Sequence, residues 1–366
     1  MLVYNIIREY LPCGSPHAPD SKKEDGMRRT LCVASALILL GSFSCGDGGR
    51  DEKGSPGDDK EGRPMGGKKL TVFHAGSLSV PMRLIADEFM HLNPGVEIDL
   101  EAAGSRTSAR KISDLGRRCD VMASADFAVI DELLIPEHAS WNIRFAGNEM
   151  AIAYTSESFL ASEIDISNWH ELLLEPDVTF GRSDPDSDPC GYRTVMTAKL
   201  AERYYGEEGL AERLLAKDNR YMRPKETDLL ALLESGAIDY VFIYRSVAVQ
   251  HGLKMIALPP EINLGDPSLA GLYRTVDVEI SGAKPGTTMV RRGAPMVYGL
   301  TIPLGAPNPG LAVRFVEFVL TGDRGLRMME ECGQPPLVPS PTTTWGNLPD
   351  PLRRFALPPD VTGEGN

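Results

Sequence analysis

The densest chemistry in the chain lies in GRSDPDSDPCGYRTVM, residues 181–196, where Asp184, Asp186 and Asp188 alternate ahead of Pro-Cys-Gly and a Tyr-Arg pair. Carboxylates that close repel one another unless a metal, a proton or fixed N–H groups compensate. An EF-hand-type calcium loop needs Gly at its sixth position and Glu at its twelfth. Counted from Asp184 those positions are Pro189 and Val195, so that loop is excluded. A nucleophilic Cys190 needs a base within reach, and none of the six histidines stands in a recognisable partner motif. His74 is the histidine nearest another candidate site, at a strand end where a structural role is the commoner one. The plain reading is an Asp-rich turn, with Asp188 capping a helix from Gly191.

Three further stretches carry groups suited to an anion. HAGSLS (74–79) and AAGSRTSARKI (102–112) each place Gly-Ser between a strand and a helix, with Ser77 and Ser105 at the junctions. Free N–H groups, a positive dipole end and hydroxyls form an anion site without formal charge. Helix capping by serine, Ser79 with Pro81 in the first turn, explains either junction taken singly. Two such junctions on successive parallel strands fall on one sheet edge, where ligands of α/β sheets bind. In RPKETDLLALLESGAIDYVFIYRS (223–246), Glu226 opens a helix and Tyr244 ends the next strand. Dipole compensation accounts for the first and core packing for the second just as well.

The elements that must hold these residues alternate. LTVFHAG reads as a buried strand, and the helix after it carries a stripe of Met82, Leu84, Ile85, Phe89 and Met90, stopped at Asn93-Pro94-Gly95. VEIDLEAAG, CDVMASAD, EMAIAYTS, VTFGRSD, AIDYVFIYRS and PMVYGLTIPLG read as strands. SRTSARKISDLGRR, GYRTVMTAKLAERYYG and PKETDLLALLESG read as helices, and two more close the body within PGLAVRFVEFVLTGDRGLRMMEECG. Strand–helix alternation implies an α/β fold with mostly parallel sheets, and 366 residues imply two lobes or domains.

At 42% hydrophobic and 24% charged residues the chain can build a sizeable core, and its net charge of −13 argues against a nucleic-acid partner. Residues 27–45, MRRTLCVASALILLGSFSC, have the layout of a secretory signal, too short for a membrane span. The signal ends on Cys45 like a bacterial lipoprotein's, which makes Cys45 the expected lipid-bearing residue. Residues 1–26 are then expected to be an extension from a misplaced translation start. Residues 46–68 are rich in Gly, Pro and charge and read as a flexible tether. Only Cys119, Cys190 and Cys332 lie in the body, which is no disulfide framework, and no spacing suggests zinc.

The blocks VFHAGSLSVPMRLIADEF, EAAGSRTSARKISDLGRRCDVMASAD, DPCGYRTVM, RPKETDLLALLESGAIDY and IYRSVAVQHGLK, in this order, resemble the molybdate/tungstate-binding proteins of ABC importers, archaeal-type branch. The resemblance runs from about Lys69 to Pro341 and implies a two-lobed, crossed-over (type II) periplasmic-binding-protein fold. Residues 69–149 with 297–341 would form the first lobe, 150–296 the second, and 342–366 a C-terminal tail. It further implies that Ser77 and Ser105 donate to a tetrahedral oxyanion from the first lobe, and Tyr244 and the Cys190 N–H from the second. Asp188 and Glu226 would coordinate the Mo or W centre, with Asp184 and Asp186 shaping a solvated turn. The protein is then expected to be a monomeric, lipid-anchored, non-enzymatic receptor without a cofactor, delivering molybdate or tungstate to an ABC permease. The competing readings are a receptor for another oxyanion such as sulfate, and an enzyme dependent on Cys190.

Overall fold

A computed structural model describes residues 68–359 apart from Ala283 and Pro285. The expected extension, signal, lipid-bearing Cys45, the tether up to residue 67 and residues 360–366 lie outside the described residues.

Two five-stranded sheets organise the body. The first contains β1 (Lys68–Ala75), β2 (Val96–Ala103), β3 (Val121–Ser124), β4 (Ile143–Gly147) and β12 (Val297–Thr301), in the order β2-β1-β3-β12-β4. The second contains β5 (Met150–Tyr154), β6 (Phe180–Ser183), β7 (Met222–Arg223), β8 (Tyr240–Tyr244) and β9 (Lys254–Ala257), in the order β7-β6-β8-β5-β9. In the first sheet β1 runs parallel to β2, from Lys68↔Val96 to Ala75↔Ala103, and parallel to β3. Both sheets are mixed, each with two parallel and two antiparallel pairings. β12 runs antiparallel to β3 and β4, and β5 antiparallel to β8 and β9. The reversal follows from the connectivity, because β5 and β12 are the strands that receive the chain after it passes from one sheet to the other. The chain passes out at Asn148–Glu149 and returns at residues 293–296.

Helices α1 (Ser79–Leu92) and α2 (Ser105–Ser113) follow β1 and β2, and α3 (Phe127–Leu133) follows β3. On α1, Met82, Ile85, Ala86 and Phe89 are buried while Leu84 and Met90 are partly so. This is the apolar face that a 3.6-residue period demands. Phe89 meets Phe315 and Phe318 of α7 (Pro309–Leu320) edge-on, at ring distances of 5.3 and 5.4 Å, a geometry that complements the ring quadrupoles. In the second lobe, α4 (Pro189–Tyr205) follows β6, α5 (Leu230–Glu234) precedes β8 and α6 (Arg245–Gln250) follows it. Helix α8 (Gly325–Glu331) packs back on α1.

Two features lie outside the elements expected from the sequence. Strands β10 (Asp277–Ser281) and β11 (Thr288–Arg292) form an antiparallel hairpin outside both sheets, paired from Asp277↔Arg292 to Ser281↔Thr288. The segment from Ser340 onward is also built into the body. Ser340 donates to Arg144 O (2.6 Å), Thr342 to Asn142 O (2.8 Å), and Thr344 Oγ1 accepts from Asn142 N (3.0 Å). With Gly147 N donating to Pro335 O (2.8 Å) and Leu337 N to Phe145 O (3.0 Å), these bonds cover the edge strand β4 and the Asn142 before it.

Candidate functional site

The carboxyl ends of β1, β2, β6 and β8 face one another across the gap between the sheets. After β1 the chain makes a 3-10 turn, Gly76–Leu78, before α1 begins. Ser79 does not cap α1 with its side chain; its hydroxyl donates back to Gly76 O at 2.7 Å. Ser77 is fully buried, and its Oγ accepts from Tyr298 Oη at 2.9 Å while its carbonyl accepts from Gln334 Nε2 at 2.8 Å. Ser105 is likewise no cap. It is the first residue of α2, behind Gly104, and its Oγ accepts the Ala125 N–H at 2.9 Å.

Asp188 caps α4, which starts at Pro189 rather than Gly191, and Oδ1 accepts the Cys190 N–H at 3.3 Å. The Cys190 N–H, expected to face the anion, is therefore engaged by Asp188, as the N-cap geometry requires. Asp188 Oδ2 accepts the Glu226 N–H at 3.0 Å, which draws the 3-10 turn Glu226–Leu229 onto the start of α4. Glu226 is itself buried, and neither oxygen has a hydrogen-bond partner of good geometry among the described residues. The Asp188 carboxyl, its own N–H and the Ser77 backbone merely approach it. Burial drives its pKa well above the usual carboxylate range, and the adjoining Asp188 adds to the shift. Burial also raises Asp188, against the hydrogen bonds it receives. A buried carboxyl with unmatched oxygens is costly unless it holds a proton or something else occupies the site.

Tyr244 ends β8 fully buried, and its Oη accepts from Arg193 Nη1 at 2.9 Å. The same nitrogen donates to Ala125 O at 2.8 Å, so one guanidinium ties Tyr244 to the loop that holds Ser105. Thus Ser77, Ser105, Asp188, Cys190, Glu226 and Tyr244 converge between the lobes. Asp184 and Asp186 do not join them. Asp184 accepts from Asp186 N (3.0 Å) and Ser187 Oγ (2.8 Å), and Asp186 binds Ser281 N and Oγ (2.6 and 2.7 Å) at the β10–β11 hairpin.

The lobes meet in a closed arrangement. Thr107 N donates to Ser187 O at 3.2 Å, and a β-carbon on Gly104 would lie 2.3 Å from that same carbonyl. Asp126, the side-chain cap of α3, accepts from Tyr192 Oη (2.6 Å) and pairs with Arg291 (2.8 Å) and Arg193 (3.4 Å) of the second lobe. Burial opposes its ionisation, but the two guanidiniums outweigh it and hold the carboxyl well below its usual range. Arg106 reaches Asp186 O at 3.2 Å and also Ser281 O, and Arg110 reaches Gly282 O at 2.9 Å, so the hairpin straps the first lobe.

The model of the family described as "Bacterial extracellular solute-binding protein" matches residues 70–333. The chain belongs to this family. Among its relatives, an uncharacterized solute-binding protein of Petrotoga mobilis is 48% identical over 290 residues, covering 78% of this chain and 89% of the relative. The molybdate/tungstate-binding protein WtpA of Pyrococcus abyssi is 40% identical over 354 residues, covering 89% of this chain and 98% of WtpA. The solved periplasmic molybdate-binding protein of Azotobacter vinelandii superposes with a TM-score of 0.53 at 16% identity, over 72% of this chain and 98% of that one. The fold is thus the two-lobed type II periplasmic-binding-protein fold.

Several working residues of this solute-binding protein were not singled out in its sequence. Tyr298 stands in a segment read only as a strand, Asn148 lies beside the expected lobe boundary at residues 149–150, and Arg193 is one residue of the DPCGYRTVM block. Asp126 and Arg291 carry no motif at all. Asp126, Arg193 and Arg291 pair across the lobes and Tyr298 pairs with Ser77 from a distant strand, contacts that no local spacing encodes. Cys190 is fully buried with its Sγ 3.7 Å from Phe242 O, and burial, with Asp188 and Glu226 beside it, pushes the thiol well above its usual range. That is the opposite of an activated nucleophile. Burial lowers His74 to about 4, and its Nδ1 lies 2.8 Å from Ala75 O, a neutral structural histidine. Among the described residues no helix is long and apolar enough to cross a membrane.

Proposed function

We propose that this solute-binding protein captures molybdate or tungstate between its lobes outside the cytoplasm and delivers it to an ABC importer. The observation that carries the reading is Glu226, a buried carboxyl with unmatched oxygens, set against Asp188 and opposite the Ser77 turn. Two carboxyls facing a dianion repel it strongly in a low-dielectric cleft. They are tolerable if they bind a high-valent metal centre directly, or if they are protonated and donate hydrogen bonds. Molybdenum and tungsten accept added oxygen ligands, whereas the sulfur of sulfate does not, so the same pair works against sulfate. Ser77, Ser105 and Tyr244 supply donors to the oxyanion. The 40% identity to WtpA across almost the whole body supports the same ligand.

The protein is a receptor and not an enzyme in this reading, and it needs no cofactor. It acts as a monomer anchored through a lipid on Cys45, with the closed lobes presenting the surface that the permease meets. Titration calorimetry with tungstate, molybdate and sulfate tests the proposal. Tungstate and molybdate are expected to bind and sulfate to fail as a competitor. Asp188→Asn with Glu226→Gln is expected to weaken tungstate binding and relax the discrimination against sulfate. Unchanged tungstate affinity in that double variant overturns the metal-ligand role, and preferential sulfate binding by the wild type overturns the ligand assignment.

A further inference from the structure

Asn148 sits where the chain first passes between the lobes, and Tyr298 lies on the strand that receives it on return. Both are buried. The orientation of the Asn148 amide is settled by its partners. Its Oδ1 accepts two backbone N–H groups, from Glu149 at 2.9 Å and Ser246 at 3.4 Å. Its Nδ2 therefore faces Ser246 Oγ (2.7 Å) and Tyr298 Oη (2.8 Å). An amide nitrogen only donates. Tyr298 Oη must accept from it, which leaves the tyrosine proton for Ser77 Oγ at 2.9 Å. Ser77 Oγ in turn accepts, and its own proton has no acceptor among the described residues. A hydroxyl fixed in this way has its proton free to donate onward.

We propose that Asn148 and Tyr298 are positioning residues that fix the Ser77 hydroxyl as a hydrogen-bond donor toward the bound anion. The inference rests on the reading of Ser77 as an oxyanion contact. The other two hydroxyls show the same polarity. Ser105 Oγ accepts a backbone N–H from Ala125, and Tyr244 Oη accepts from the Arg193 guanidinium. Neither of those partners can accept a proton in return. All three hydroxyls of the site therefore have their protons available for a ligand that carries none. For Ser77 the direction is set at the hinge, two residues removed along the relay, and can be reversed there without touching the anion.

Asn148→Asp is the reversing substitution. It is close to isosteric and keeps the acceptor for the two backbone N–H groups. It replaces the donor with an acceptor, so Tyr298 turns its proton toward the hinge and Ser77 turns its own toward Tyr298. Tungstate affinity, measured by calorimetry on the intact protein, is expected to fall about tenfold or more. The added charge could also lower affinity, so the same substitution is made in the Ser77→Ala background. There the relay has no endpoint and only the charge effect remains. The loss on Asn148→Asp is expected to shrink several-fold in that background, the signature of coupling. An equal loss in both backgrounds, or none in either, overturns the proposal.

A second cycle covers a failure of Asn148→Asp to fold. Tyr298→Phe is expected to weaken binding by about three- to tenfold alone and by nothing further in the Ser77→Ala background. Additive losses there overturn the proposal. Wild-type protein that binds no fully deprotonated oxyanion removes the ligand reading itself, and this inference with it.

Discussion

Glu226 reaches across the cleft to Gly76. A β-carbon built on Gly76 would lie 3.1 Å from each of the two carboxylate oxygens and 2.8 Å from Thr227 Oγ1. Gly76 is not among the residues with positive φ, so the reason for glycine here is the close approach and not the backbone. Gly76→Ala is therefore expected to leave the first lobe folded and to displace Glu226 or hold the lobes apart. Tungstate affinity by calorimetry should drop by about tenfold or more, with a melting temperature for the ligand-free protein close to wild type.

The ligand-free protein should become less stable as the pH rises. Glu226 and Asp188 both have raised pKa values, Glu226 well above its ordinary 4.5. A carboxyl raised in the folded state keeps its proton after the unfolded chain has lost its own. The folded state then binds more protons than the unfolded one, so stability falls with pH from about the unfolded value up through the raised one. The slope is at most about 1.4 kcal/mol per pH unit for each proton. Thermal unfolding between pH 5 and pH 8 should show this decline, and Glu226→Gln should flatten it. A decline that persists in Glu226→Gln would assign it to other groups.

The fold was largely legible because its elements have strong periods. The stripe of Met82, Ile85 and Phe89 and the buried run of β1 need only local patterning. The antiparallel strands β5 and β12 were read as strands, but their direction follows from the chain passing twice between sheets, which periodicity does not register. The hairpin from Asp277 to Arg292 alternates exposed residues with buried ones on β10 and half-buried ones on β11, and its value lies in what it touches. In the site, Ser77, Ser105, Asp188, Glu226 and Tyr244 stood out because each ends a strand or begins a helix. Tyr298 reaches Ser77 from a sequence-distant strand of the same sheet, Asn148 reaches Tyr298 from the hinge, and Asp126 holds Arg193, which reaches Tyr244, across the lobes; such relationships exist only in three dimensions. Of the Asp cluster, Asp188 is buried, Asp184 half-buried and Asp186 exposed. Asp186 nevertheless does more than shape a turn, because it binds Ser281.

Gly104 tests the closed arrangement. Its backbone, at φ −55° and ψ 139°, suits any residue, yet an added β-carbon would meet Ser187 O at 2.3 Å and Pro224 O at 2.7 Å. Both carbonyls belong to the second lobe. Gly104→Ala should fold normally and close incompletely. Small-angle scattering of the tungstate-loaded variant is expected to give a larger radius of gyration than the wild type, and dissociation should be faster. Identical scattering would mean that the lobes accommodate the methyl group.

Cys190 should be chemically silent in the native protein. It is fully buried and its thiol is raised well above the ordinary range, while Cys119 and Cys332 are also buried and raised to about 12. Since the thiolate is the reactive form, iodoacetamide at pH 8 should leave all three unmodified until denaturant is added. Peptide mass spectrometry reads each site separately. Rapid native alkylation of Cys190 would revive the enzymatic alternative.

Asp126 is a first-lobe charge that three second-lobe side chains share. It lies on the first lobe between Tyr192, Arg193 and Arg291 of the second, and removing its charge leaves the buried Arg193 without its carboxylate partner and Arg291 with Glu132 alone. Breaking one side of a buried ion pair commonly costs about 3–5 kcal/mol. Here that cost falls on the closed state, because opening exposes both arginines to water. Asp126→Asn should thus shift the population toward open lobes and weaken tungstate binding by about a hundredfold or more. The side-chain cap of α3 is retained in form, because asparagine also caps helices. Stopped-flow measurement separates the consequences. A faster dissociation with little change in association marks the loss of a closed-state latch, whereas an unchanged dissociation rate would mean that the hairpin contacts through Arg106 and Arg110 hold the lobes without it.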